Sequence, residues 1–151
     1  INVGIAGSFS KEFEIGEVVL VQEDQLAELG AEDKDEFLTL EDLSLGTTDD
    51  FVFSTDGLKQ VEHLRKVKAI TVNRVHGNEV SIKKIRQRLH PDIESMEGAA
   101  FHYACQKTGV KGVQLRAISN YVEPRNRDNW NIPLAVTKLN QELIKIVEGL
   151  L

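Results

Sequence analysis

The stretch Ile1-Asn2-Val3-Gly4-Ile5-Ala6-Gly7 places apolar, β-branched residues ahead of glycines, the pattern of a strand that delivers the backbone into a tight turn. Working outward, Gly16-Glu17 leads into Val18-Val19-Leu20-Val21, a β-branched run suited to a buried strand. Leu58, Val61, Leu64 and Val67 recur at helical spacing between Gly57 and the strand-like Ala69-Ile70-Thr71-Val72, which predicts helix then strand. Glu79 to Leu89 predicts a second helix, with Val80, Ile82, Ile85 and Leu89 apolar and His90-Pro91 as its stop. Glu97 to Lys107 predicts a third, ended by Thr108-Gly109. Val113 to Ile118 reads as a strand, and Ile132 to Leu151 as a long terminal helix carrying Leu139, Leu143, Ile146 and Leu150. Strands alternating with helices predict one α/β domain over residues 1–151, built on a twisted, mixed but mostly parallel sheet flanked by helices.

Composition sets bounds on that domain. With 151 residues, 41% apolar and 28% charged, the chain can bury a continuous core. Its 24 acidic and 18 basic residues give a net charge of −6, so the average surface repels a phosphate backbone and no nucleic-acid partner is expected. The charge run Ala31-Glu32-Asp33-Lys34-Asp35-Glu36 has no apolar face and predicts a solvated loop. No apolar run is long enough to span a bilayer, so no membrane partner is expected, and the single Cys105 fits a reduced, cytoplasmic setting. A chain that opens inside a strand reads as a processed or shortened polypeptide, part of whose machinery lies upstream.

In open α/β sheets ligands bind beyond the carboxyl ends of strands, which singles out Gly4 to Ser8, Glu94 to Gly98 and Arg116 to Asn120. From position alone, Glu97 is either a carboxylate complementing a helix N-terminus or an acceptor for substrate hydroxyls, and Asn120 either a turn residue or an amide reading a ligand. His102 and Cys105 lie one turn apart, but a buried small thiol is the simpler reading. His63, His76, His90 and His102 form no i, i+4 ligand pair with an acidic partner, so neither metal nor cofactor is expected.

Taken in order, Ile1 to Gly7, Glu94-Ser95-Met96-Glu97-Gly98-Ala99-Ala100 and Arg116-Ala117-Ile118-Ser119-Asn120 resemble the purine nucleoside phosphorylase and nucleosidase family, on its nucleosidase branch. The longer strings Glu94 to Phe101 and Arg116 to Arg127 are similar to members of the menaquinone pathway that release hypoxanthine from a benzoate-bearing 6-oxopurine nucleoside. The resemblance implies a nucleoside phosphorylase-like fold lacking its first strands here, with the acidic residue that activates water in the segment upstream. It also implies a small-molecule nucleoside substrate, an N-ribosyl hydrolase activity and a homo-oligomer.

Residue by residue, the resemblance gives Glu97 the ribose 2′- and 3′-hydroxyls, and Met96 the sugar face. Asn120 reads the base: its NH2 donates to O6 and its carbonyl accepts from a protonated N7, a pattern that suits hypoxanthine or guanine over adenine. Arg116 holds Glu97 or the water, completing a catalytic set of Glu97, Asn120 and Arg116. Ser95, Ser119 and Gly7 line the substrate, and Val75 and His76 the base pocket. Arg125, Arg127 and Arg74 are candidates for the benzoate, and Tyr121 and Trp130 for packing on an aromatic ring. Phosphorylases of the family carry a hydroxyl residue where Ile5 stands, and its loss favours water over phosphate. The alternatives are a 6-oxopurine nucleoside phosphorylase and a nucleoside-binding protein without turnover.

Overall fold

The computed structural model describes residues 1–47, 52–54 and 58–150. Its strands are β1 (Asn2–Ser8), β2 (Val18–Leu26), β3 (Ala31–Asp33), β4 (Glu36–Leu38), β5 (Val52–Ser54), β6 (Arg65–Thr71), β7 (Ile93–Ser95) and β8 (Gln114–Tyr121). Its helices are α1 (Glu79–Leu89), α2 (Gly98–Thr108) and α3 (Ile132–Glu148).

The open sheet expected from the alternating pattern is corrected: the sheet closes. The strand order β2-β6-β7-β1-β8 returns to β2, because β8 pairs antiparallel with β2 over Val18–Val21 while β6 pairs parallel along its other side. β5 continues β2 beyond that point, antiparallel at Glu23–Gln25. The five closing interfaces are mixed, parallel at β2–β6, β6–β7 and β1–β8 and antiparallel at β1–β7 and β2–β8. Irregularities at Val21/Glu23 in β2 and Ala6/Gly7 in β1 supply the bends a small closed sheet needs. β1 meets β7 only at Gly7 and Ser8, so Asn2–Ala6 pair with β8 on one side and, among the described residues, with no strand on the other.

Alternation along the strands then sorts the core. Ala6, Val19, Val21, Val67, Ala69, Ile93 and Ile118 form one cluster, on the face of β8 that also carries Gln114 and Arg116. Leu20, Leu115 and Ala117 face the other way and pack with Ala135, Leu139 and Ile146 of α3. Ile70 and Val72 pack with Ile82 and Ile85 of α1.

Both shorter helices follow their sequence signals. Asn78 caps α1 by accepting from the Val80 and Ser81 amides, and His90, at φ 47°, ends it before Pro91. Gly109, at φ 69°, ends α2. The helix expected across Leu58 to Val67 is instead a single 3-10 turn at Lys59–Val61, and β6 begins at Arg65; Gly57, its expected start, and Leu151, the expected end of α3, lie outside the described residues. A three-residue apolar spacing fits a 3-10 turn as well as an α-helix. Here Leu58, Val61 and Leu64 reach the α3-facing cluster, while Val67 belongs to the alternation of β6. The run expected as a solvated loop, residues 31–36, is the two-stranded hairpin β3–β4, turning at Lys34-Asp35 with Glu32 to Glu36 exposed. β7, only three buried residues long, had no signal of its own.

Candidate active site

Three strand ends converge on Gly7. Its backbone registers with Glu94 of β7 on one side and Asn120 of β8 on the other. A Cβ at Gly7 would sit 3.1 Å from Asn120 Nδ2, 3.0 Å from Val122 Cγ2 and 3.7 Å from Glu94 Cγ, so the missing side chain is what lets the amide and the carboxylate flank one point.

The orientation of the Asn120 amide is set by its neighbours. Nδ2 donates to the Tyr121 carbonyl at 3.1 Å, and Oδ1 accepts from Ser119 Oγ at 2.8 Å. Ser119 is buried and its hydroxyl also lies 3.3 Å from the Ala6 carbonyl. A primary amide has two N–H groups and two carbonyl lone pairs, so one donor and one acceptor remain for a ligand.

Glu94 is buried, and both its oxygens are taken by one residue: the His76 amide donates to Oε1 at 3.0 Å, and His76 Nδ1 lies 2.6 Å from Oε2. Val75, next in the same loop, is half-buried and packs with the α1-facing cluster. His76 also lines a cleft of about 320 Å³ with Arg74, Phe37, Lys84 and Arg88. Arg88 spans that cleft, its guanidinium 3.7 Å from the Phe37 ring centre and its Nη2 donating to the Ala27 carbonyl.

Glu97 stands at the N-terminus of α2 but makes no side-chain capping bond there, which weighs against a purely helix-terminal role. Its Oε2 accepts from the Met96 amide at 3.2 Å and lies 3.5 Å from Arg116 Nη2. The Glu97 side chain is 61% exposed and Met96 50% exposed, so this pair opens outward rather than filling core. Ser95, just before them, is buried, and its Oγ has no hydrogen-bond partner among the described residues.

Arg116 is the largest fully buried side chain. Burial pulls its guanidinium below the ordinary arginine range, and the Glu97 and Asp24 carboxylates oppose that shift. Asp24 was not singled out from sequence. It is fully buried, accepts from Thr71 Oγ1 at 2.9 Å and from Gln114 Nε2 at 2.8 Å, and Thr71 Oγ1 in turn accepts from the Ala99 amide at 2.8 Å. Burial raises its pKa, against the hydrogen bonds from Gln114 and Thr71. A Cβ on Gly98 would collide with Asp24 and Gln114, so α2 begins directly over this network. The available signal was a lone carboxylate inside a strand.

His102 is buried, and its imidazole is held below its ordinary pKa first by that burial and then by Arg116. Arg125, exposed, places its guanidinium 5.4 Å from the centre of the Trp130 ring and its amide on the Gly77 carbonyl, which brings it beside the His76 loop. Arg127 lies in an exposed 3-10 turn. Among the described residues no group of three or more His, Cys, Asp or Glu could hold a metal, and no helix is long and apolar enough to cross a membrane. Ile5 turns toward the α3-facing cluster, away from Arg116 and Ile118, so a hydroxyl at its position would not face the barrel interior either.

The closed mixed barrel and its strand-end motifs belong to a chain of the phosphorylase superfamily, whose family model matches residues 1–151. Among curated relatives it is 32% identical to a futalosine hydrolase of Streptomyces coelicolor over 150 residues, covering 97% of this chain and 63% of the relative, and 33% identical to one of Acidothermus cellulolyticus, covering 91% and 57%. The chain thus spans about three fifths of the length of these relatives. Solved structures share the fold: a futalosine hydrolase of Helicobacter pylori superimposes with a TM-score of 0.75 at 14% identity, covering 97% of this chain and 66% of that one. A 5′-methylthioadenosine/S-adenosylhomocysteine nucleosidase of Colwellia psychrerythraea gives 0.75 at 18% identity, covering 97% and 65%.

Proposed function

We propose that this chain carries the base- and ribose-reading part of an N-ribosyl hydrolase that cleaves a 6-oxopurine nucleoside, namely futalosine to hypoxanthine and dehypoxanthine futalosine in menaquinone biosynthesis. The observation that carries the reading is the fixed amide of Asn120: with one N–H held by the Tyr121 carbonyl and one lone pair by Ser119, it keeps one donor for O6 and one acceptor for a protonated N7. The curated relatives, named as futalosine hydrolases, support the same substrate.

Cleavage passes through a ribosyl cation while the bond's electron pair moves onto the purine, which a proton on N7 neutralises. Glu97 accepts from the ribose 2′- and 3′-hydroxyls, and its charge favours the cation; Arg116, 3.5 Å away, keeps that carboxylate aimed. Met96 and Ser95 meet the sugar, and Gly7, Ser119, Val75 and His76 surround the base. Arg125, beside the His76 loop, takes the benzoate. The exposure of Met96 and Glu97 leaves the sugar side open, which suits a homo-oligomer whose neighbour covers it. The enzyme works in the cytoplasm on a soluble nucleoside.

Release of hypoxanthine from futalosine, followed with and without phosphate in the full-length protein, tests the reading. Equal rates and no ribose 1-phosphate-type product are expected; formation of that sugar phosphate would replace the hydrolase by a phosphorylase.

A further inference from the structure

The start of α2 is capped from a neighbouring strand rather than by its own residue. A helix leaves its first backbone N–H groups without internal partners, and the side chain at the N-cap position ordinarily accepts from them. Glu97 holds that position here, yet its carboxylate makes no such bond. The Ala99 amide donates instead to Thr71 Oγ1, at the end of β6, over 2.8 Å. Thr71 Oγ1 in turn donates to Asp24 Oδ1 at 2.9 Å, and Asp24 Oδ2 accepts from Gln114 Nε2 at 2.8 Å. All three side chains are buried, and Gly98 rests so closely on Asp24 and Gln114 that a Cβ there would collide with both. The same end of β6 also holds the other side of the motif. Thr71 registers with Ser95 of β7, and the Val72 amide donates to the Ser95 carbonyl at 2.9 Å. Met96, Glu97 and Gly98 are therefore a three-residue bridge pinned at both ends by Thr71 and Val72.

We propose that Thr71, its hydroxyl oriented by Asp24, is a positioning residue for Glu97: by capping α2 in place of Glu97 it frees that carboxylate for the ribose hydroxyls and fixes the backbone from which it projects. A carboxylate spent on its own helix would turn toward the α2 amides. With the cap supplied by Thr71, the Glu97 side chain stays 61% exposed, held by the Met96 amide and Arg116. Thr71 acts through the backbone alone. Its hydroxyl is taken up by the Ala99 amide and Asp24, so it reaches no ligand itself. Displacing a reacting group by about 1 Å costs up to about a hundredfold in rate, so a bridge loosened at one end should register in turnover. The proposal rests on the ribose contact given to Glu97 above, and its test separates the two.

The experiment is a double-mutant cycle on the full-length protein, with futalosine kinetics in wild type, Thr71→Val, Glu97→Ala and the double variant, and amide hydrogen exchange at Ala99 read alongside. Thr71→Val keeps shape and removes the hydroxyl; Thr71→Ala is run beside it in case the valine variant folds poorly. Either should speed exchange of the Ala99 amide about tenfold, the loss of one hydrogen bond, and lower kcat about tenfold with KM changed less than about threefold. Thr71→Ser, which keeps the hydroxyl, should recover most of both losses. In the Glu97→Ala background the same substitution should cost less than about threefold, because the group it positions is gone. An equal loss of kcat in both backgrounds, an unchanged kcat despite faster Ala99 exchange, or Ala99 exchange unaffected by loss of the hydroxyl would each overturn the proposal. If the wild type leaves futalosine intact, the hydrolase reading alone falls, and the inosine affinities of the same proteins take the place of kcat in the cycle. A wild type that also binds no inosine overturns the positioning role as well.

Discussion

The guanidinium of Arg116 lies across Gly4 of the neighbouring strand, so close that a Cβ at Gly4 would stand 2.7 Å from Nη1 and 3.2 Å from Cζ. β1 and β8 register Gly4 directly with Arg116, and the absent side chain is the space the buried cation occupies. Gly4→Ala should therefore push Arg116 off Glu97. Because Arg116 touches Glu97 rather than the substrate, kcat should fall about tenfold with KM little changed, the signature of lost transition-state stabilisation. Steady-state kinetics on the full-length protein check this; a rise confined to KM would mean that Arg116 does not act through Glu97.

Glu97→Gln keeps shape and most hydrogen bonding but removes the charge that favours a ribosyl cation. Turnover should drop about a hundredfold, more than affinity, in line with loss of one preorganised electrostatic contact. Chain stability should barely move, since the Glu97 side chain is 61% exposed and its pairing with Arg116 is long at 3.5 Å. Parallel kinetics and thermal denaturation separate the two effects.

The strings that hold the candidates Glu97, Arg116, Ser119 and Asn120 could be located because they lie along β8 or at the start of α2, whose patterns are local. α1 and α2 were legible for the same reason, Asn78, His90 and Gly109 being chain-local signals. Closure of the sheet was not, because it depends on Val18–Val21 meeting Gln114–Ala117 some ninety residues away, and pairing partners leave no trace in hydrophobic periodicity. Glu94 was quoted only as part of a motif; its partnership with His76 crosses eighteen residues and becomes visible only once β6 and β7 lie side by side. Asp24 was hidden by the same logic, its partners Thr71 and Gln114 lying on two other strands.

Asp24 makes a prediction about pH. Its folded-state pKa is raised above the ordinary 3.8, chiefly by burial, so the folded chain holds that proton more tightly than the unfolded one. Stability then falls as pH rises from about 3.8 through the raised value, because over that window the unfolded state binds fewer protons. Asp24→Asn removes the penalty, so the stability of the variant relative to wild type should climb across that window and level off above it. Chemical denaturation at several pH values measures the difference, and the His102 contribution, common to both proteins, cancels. A gap that shrinks as pH rises would show that Asp24 is not destabilised by burial.

The decisive test of substrate choice lies at Asn120. Its Nδ2 already donates to the Tyr121 carbonyl at 3.1 Å, so an aspartate in its place must carry a proton on that oxygen or face a carbonyl with like partial charge. Tyr121 thereby favours the neutral acid, with the proton on the Tyr121 side and the other oxygen, which Ser119 contacts, left as an acceptor. That form can accept from the amino group of a 6-aminopurine but has lost the donor for O6. Asn120→Asp should therefore lower kcat/KM on futalosine, raise that on the 6-amino analogue relative to it, and shift the ratio of the two by about ten- to a hundredfold, the cost of leaving one buried polar group unpaired. The ratio of specificity constants in wild type and variant is the measurement. If the ratio stays constant while both rates fall, Asn120 shapes the pocket without reading the base, and the 6-oxopurine assignment must rest on groups elsewhere in the full-length protein.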